Sequence, residues 1–190
     1  GGTHLPDIAI VMPVFFDGEP IAVSAAMTHH QDVGGMSPGS VPPNATEIYQ
    51  EGIRIPPLKL REGKTFNDTL IQMLKLNVRV PKVFMGDIGA QISACTVGAR
   101  RVVELANRYG RGQTLQIFNE LLDRSEQLTR RALEAIPDGT YSYVDYLDND
   151  GVNLEESVRI EVAVTISGSE FHCDFEGTDP QTRGPFNAVK

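Results

Sequence analysis

Three of the four histidines in this chain of 190 residues, His4, His29 and His30, flank two apolar runs, and Asp7 follows His4 by three positions. Imidazole nitrogens joined by a carboxylate oxygen suit zinc, manganese or iron. Two histidines and one carboxylate leave coordination positions open for water or substrate. The same residues have plainer uses: Asp7 can cap a turn, and adjacent histidines can hydrogen-bond a strand end. The choice depends on whether the chain brings these positions together.

The intervening sequence is built to do so. Ile8 to Phe16 is apolar, Asp17-Gly18 follows, and Ile21 to Met27 is apolar again. Asp-Gly between two apolar runs is the strongest short-range signal for a hairpin. With Asp17-Gly18 as a two-residue turn, Asp7 falls opposite Thr28, and Pro6 opposite His29. Opposed residues share a face, as do residues two apart on one strand, so this register groups His4 with His29 rather than His30. Asp7 would then have to swing round from the other face. Pro13 cannot donate to a ladder and is expected at an edge or a bulge.

These residues also carry a resemblance. Gly1-Gly2-Thr3-His4-Leu5-Pro6-Asp7, followed by His29-His30-Gln31-Asp32-Val33-Gly34-Gly35-Met36-Ser37-Pro38-Gly39-Ser40, resembles the hydantoinase B / oxoprolinase family. The similarity continues through Glu51-Gly52-Ile53-Arg54-Ile55-Pro56-Pro57, Gly86-Asp87, Pro137-Asp138-Gly139-Thr140-Tyr141 and Asp174-Phe175-Glu176-Gly177. That family includes subunits of ATP-dependent N-methylhydantoinases and 5-oxoprolinases, and large subunits of acetone and acetophenone carboxylases. In the carboxylase branch of that family a divalent metal is held by a His-x-x-Asp pair and a later histidine, and the resemblance implies the same here; the ligand types make zinc or manganese the expected ion. Matched residue by residue, the ligands are His4, Asp7 and His29. It also implies a hydantoinase A-like partner subunit or region that uses ATP, which is then not bound by this chain.

A net charge of −8 argues against nucleic acid and against an anionic membrane face. No apolar run reaches the roughly 18 to 20 residues that span a bilayer. Cys95 and Cys173 form neither a disulfide framework nor a metal motif. Cytoplasm is the simplest location. Without an initiator Met, and starting inside a motif, residues 1–190 read as a fragment of a larger hydantoinase B-like subunit. Its sub-regions are β and loop over 1–60, a helical hairpin over 87–136 and antiparallel β over 140–176.

Ser37-Pro38-Gly39-Ser40-Val41-Pro42-Pro43-Asn44 is a loop. Its backbone amides can present themselves to an anion, or it simply connects. It lacks the Gly-Lys-Ser/Thr of a P-loop. Ile53-Arg54-Ile55 alternates like a short strand ended by Pro56-Pro57. Asn67-Asp68 caps a short helix through Lys75. Asp87 is an expected N-cap for a helix with Ile88, Ile92, Cys95, Ala99 and Ala106 on one face. Gly110 stops that helix, and Leu115, Phe118, Leu121 and Leu128 mark a second. Thr140 to Leu147 and Val158 to Ile166 read as strands, with Asp148-Asn149-Asp150-Gly151 a turn. Phe171, Cys173 and Phe175 are expected to face the core, with His172, Asp174 and Glu176 opposite. That polar face is either solvated or catalytic, and Asp174 lies in a stretch that carries the resemblance.

The fold class is therefore α+β: an N-terminal hairpin region, a central antiparallel helical hairpin, then antiparallel strands. The reading that follows is metal-assisted hydrolysis of an activated cyclic amide, a small-molecule substrate. His30 and Asp32 would orient water around the metal ligands, and Asp174 is a further catalytic candidate. Carboxylation of a ketone enolate is the alternative chemistry. A non-catalytic assembly domain is the alternative of another class.

Overall fold

The computed structural model describes residues 4–188. The Gly1-Gly2-Thr3 head of the first motif lies outside the described residues. Among the described residues, seven strands and three α-helices form an α+β fold, with strands only in small antiparallel sheets. The chain divides into two compact units, residues 1–104 with 184–190, and residues 105–183.

The first unit is built on the hairpin. β1 (Asp7–Phe16) and β2 (Glu19–His29) pair antiparallel around Asp17-Gly18. Both turn residues have positive φ, 51° and 82°, which matches the right-handed twist of the strands it joins. The register differs from the sequence expectation by one. Phe15 pairs with Pro20 and Val14 with Ala22, so buried Ile21 is left over as a bulge. From there to the open end every pair is shifted, and Asp7 stands opposite His29 rather than Thr28. Pro20 has no N–H to give the ladder, and the irregularity falls beside it.

Alternate residues of the hairpin turn inward. Ile8 and Ile10 pack on a core of Val33, Leu70, Leu74, Val78, Phe84 and Ile88. The odd-numbered residues of β1 and their partners turn outward, and Val11, Phe15, Val23 and Met27 are exposed. This outward face is therefore itself apolar.

Ile53-Arg54-Ile55 forms no strand. Ile53 makes a single ladder-like bond to the Val33 carbonyl at 2.8 Å, and Pro56-Pro57 prevents more. Two minimal strands, β3 (Arg61–Glu62) and β4 (Thr65–Phe66), pair further on. α1 (Asp68–Asn77) begins as expected, with the Asn67 side chain accepting from the Leu70 amide. α2 (Pro81–Tyr109) begins earlier than the expected cap at Asp87. Pro81 occupies the first helical position, where its missing N–H costs nothing, and the first turn closes from Phe84 N–H to the Val80 carbonyl. Gly110, at φ 83°, is the only residue between α2 and α3 (Arg111–Glu134). Most of α2 belongs to the first unit and all of α3 to the second.

The second unit holds α3 and the sheet β5 (Gly139–Leu147), β6 (Val158–Ser167) and β7 (Glu170–Asp174), in that order. Asp138 accepts from the Gly168 amide and fixes the β6–β7 turn. The core face expected along β7 is not buried: the strand is exposed throughout and ends at Asp174, short of Phe175 and Glu176. Phe171, Cys173 and Phe175 are exposed, as are His172 and Asp174. No helix among the described residues is long and apolar enough to cross a membrane.

Candidate metal centre

The bulge at Ile21 has its effect at the far end of the hairpin. His30 N–H donates to the Pro6 carbonyl at 2.8 Å, just beyond the last ladder pair. Bonded and non-bonded pairs alternate in an antiparallel ladder, so Asp7 and His29 form a non-bonded pair, the kind whose side chains lie closest. Asp7 Oδ1 is 3.1 Å from His29 Nδ1. Asp7 N–H turns back to the His4 carbonyl at 3.3 Å, which brings His4 alongside. His4 Nδ1 lies 3.0 Å from Asp7 Oδ2.

One carboxylate thus stands between two imidazoles whose rings meet edge to face, 4.6 Å apart. One ligand atom from each of His4, Asp7 and His29 lies within 4.8 Å of the others. His4 Nδ1 is buried, and although close to Asp7 it makes no hydrogen bond of acceptable geometry among the described residues. Nitrogen, nitrogen and carboxylate oxygen at this spacing, with one buried nitrogen unsatisfied, fit a divalent cation. Asp7 is largely covered, whereas the His29 ring is about half exposed. The cluster opens on the outward hairpin face, beside the Ala9–Met27 pair.

The other sequence candidates lie elsewhere. His30 is fully buried against Phe84, with ring centroids 4.7 Å apart. Its Nε2 lies 3.0 Å from Gln91 Oε1. Asp32 is also buried, and it organises the glycine loop from within. Its Oδ1 accepts from the Gly34 and Arg79 amides, and its Oδ2 from the Gly39 amide and the Arg79 guanidinium. Arg79 donates as well to the carbonyls of Gly34, Gly35 and Ser37. Burial pushes the Asp32 carboxyl up, but the Arg79 and Gly34 amides, the Arg79 guanidinium and the Gly39 amide outweigh it and hold the pKa at about 2. Within this stretch the Gly34 and Gly39 amides are taken by the Asp32 carboxylate, that of Met36 by the Gln50 carbonyl and that of Ser40 by the Ser37 carbonyl. Asp174 lies in the second unit, where its Oδ1 accepts from the Glu176 amide in a local turn.

Arg79 and Gln91 were not singled out by the sequence. Gln91 had a signal, as a polar residue inside the apolar stripe of Ile88, Ile92 and Cys95. Arg79 had none, because its partners lie more than 40 residues earlier in the chain.

The motifs that build this hairpin end, and the glycine loop closed on an aspartate behind it, are those of a known family. The family model described as Hydantoinase B/oxoprolinase matches residues 1–190. The chain belongs to the hydantoinase B/oxoprolinase family. It is 36% identical over 193 residues to the B-type component of a putative D-/L-hydantoinase from Pseudomonas sp. strain NS671, covering 98% of this chain and 32% of that one. It is 29% identical over 191 residues to the acetophenone carboxylase delta subunit of Aromatoleum aromaticum, covering 99% and 28%. The crystal structure of the ATP-dependent caprolactamase from Pseudomonas jessenii superposes with a TM-score of 0.88 at 37% identity, covering 96% of this chain and 31% of that one. The chain spans about a third or less of these relatives.

Proposed function

We propose that this chain is part of the hydantoinase B-like subunit of an ATP-dependent cyclic amidase, and that His4, Asp7 and His29 hold its divalent cation, zinc or manganese. The observation that carries this reading is the carboxylate-bridged histidine pair at the hairpin's open end. Two of the relatives support amide hydrolysis by name, a putative hydantoinase and a caprolactamase, and they are closer in sequence than the carboxylase relative.

When bound, a cation of this kind supplies Lewis-acid polarisation of a carbonyl and a water acidic enough to act as nucleophile near neutral pH. The protein's own part is orientation. Asp7 Oδ1 orients the His29 imidazole, and the turn from the Asp7 N–H to the His4 carbonyl holds His4 alongside. Ala9 and Met27 form an apolar floor next to the cluster on which the ring carbons of a cyclic amide can lie. Activation of the amide by ATP is assigned to a hydantoinase A-like partner subunit or region.

The test is elemental analysis of untagged protein, before and after dialysis against zinc or manganese. About one equivalent of metal, lost in His29→Ala, is expected. Protein that takes up neither metal would remove the reading and leave an assembly role.

A further inference from the structure

The cluster sits where a hairpin ought to fray, at the open end of a two-stranded sheet that is marginal alone. Its inner face is met there by α2, where Phe84 supplies an apolar contact to His30 and Gln91 the polar ones. Gln91 on α2 is buried, and its side-chain amide donates to the carbonyls of Ile8 at 2.7 Å and Ala26 at 2.9 Å. One side chain thus ties β1 to β2. These two bonds use both amide hydrogens and fix which way the amide points, so Oε1 must face His30. His30 Nε2 then carries the proton of that 3.0 Å contact. His30 Nδ1 is buried with no hydrogen-bond partner among the described residues, so Gln91 is the polar partner that holds the ring.

One tether, at Ile8, falls next to the cluster, the other holds β2 at Ala26, and the His30 contact closes on the strand end. Ile8 follows Asp7, His30 follows His29, and the His30 amide is itself bonded to Pro6. Further along the same helix face, Cys95 Sγ reaches the Ile10 carbonyl at 3.6 Å, and Gly98 leaves room for Ser24. Of these three contacts only that of Gln91 reaches the strand ends.

We infer that Gln91 is a positioning residue for the cation site: it clamps the open end of the hairpin from beneath and so holds Asp7 and His29 in the opposition their chemistry needs. This deepens the cation reading and rests on it for its functional meaning. The clamp itself is testable without metal.

The experiment uses untagged wild type, Gln91→Met, Gln91→Glu and, as a core control, Leu74→Ala. Gln91→Glu keeps an acceptor for His30 and removes both donors, and serves if Gln91→Met does not fold. In metal-free protein, amide hydrogen exchange at His30 is read against Ala22 near the turn. Both Gln91 variants are expected to speed His30 exchange by roughly tenfold or more while Ala22 changes little, and Leu74→Ala is expected to show no such contrast. With cobalt(II) as the probe, the Gln91 variants should bind roughly 10–100-fold more weakly and show an altered ligand-field absorption, whereas Leu74→Ala keeps the wild-type spectrum. Unchanged His30 exchange in the Gln91 variants overturns the inference, as does an equal effect in Leu74→Ala. Wild type that binds no cobalt(II), zinc or manganese counts against the cation reading, while the exchange contrast still decides the role of Gln91.

Discussion

Asp7 and His29 face each other across the last pair of a ten-residue strand, with 3.1 Å between Oδ1 and Nδ1. That opposition exists because one extra residue, Ile21, is accommodated near the turn. Without the bulge, Asp7 would oppose Thr28, and His29 would lie on the opposite face of the sheet from Asp7.

His29 and His30 are therefore expected to fail in different ways. His29→Ala should lose bound metal with little change in melting temperature, since its ring is half exposed. His30→Ala should unfold more easily by about 2–4 kcal/mol, because it leaves a cavity against Phe84 and strands Gln91 Oε1 in the interior. Metal content and thermal unfolding, measured on the same two samples, separate the outcomes. Reversed roles would mean that His30 and not His29 holds the cation.

Asp32 gives a prediction in pH. Its folded pKa of about 2 lies below the ordinary 3.8, so the group stabilises the fold above about pH 4. That contribution, on the order of 2 kcal/mol, should fade as pH falls from about 4 towards 2. Asp32→Asn should be destabilised near neutral pH, and the gap to wild type should narrow over the same window. Denaturant titrations at pH 6, 4 and 3 read it; a gap that does not change with pH would exclude the carboxylate charge as its source.

The glycine loop should resist even the smallest added side chain. Gly35 has φ 80°, and a Cβ there would come within 2.5 Å of the Gln50 carbonyl oxygen. Gly35→Ala is expected to cost about 1–3 kcal/mol, whereas Gly63→Ala, also at positive φ but in open space, should cost less. Paired chemical denaturation curves would show the difference.

The chain by itself is expected to hydrolyse no ATP: Gly63-Lys64-Thr65 echoes the end of a phosphate loop, but Leu58 stands where its first glycine would be, the triplet lies at the β3–β4 turn rather than between a strand and a helix, and the glycine loop is closed on Asp32. Calorimetric titration with ATP and with inorganic phosphate should give no heat of binding. Turnover that survives repurification would place ATP chemistry within these residues.

What the sequence revealed and what it hid follow a physical division. Asp17-Gly18 between apolar runs located the hairpin, because turn chemistry is local. The register was missed by one, because a bulge is settled by how Ile21 packs. Strand alternation grouped His4 with His29 only through that mistaken register; in the observed one it would set His4, two residues from Pro6, with His30, and it is the turn from the Asp7 N–H back to the His4 carbonyl that brings His4 beside His29. Arg79 on Asp32 and Gln91 on His30 were invisible because they join positions 47 and 61 residues apart. In β7 the alternation of Phe171 and Cys173 was expected to turn them to a core, yet every residue of the strand is exposed and Phe175 lies beyond its end. Alternation says which residues share a face, and nothing about whether another element covers it.

Pro13 pairs with Val23. Counting from the Pro6–His30 bond, this is a non-bonded pair, so the missing N–H is lost from the outer edge of β1 and not from the hairpin. A stray strand approaching that edge finds a gap in the row of donors halfway along, while the edge of β2 keeps its donors from Val23 to Met27. The sheet is thereby polarised for growth: association through β1 is blunted, and any strand that extends it is steered to the β2 side.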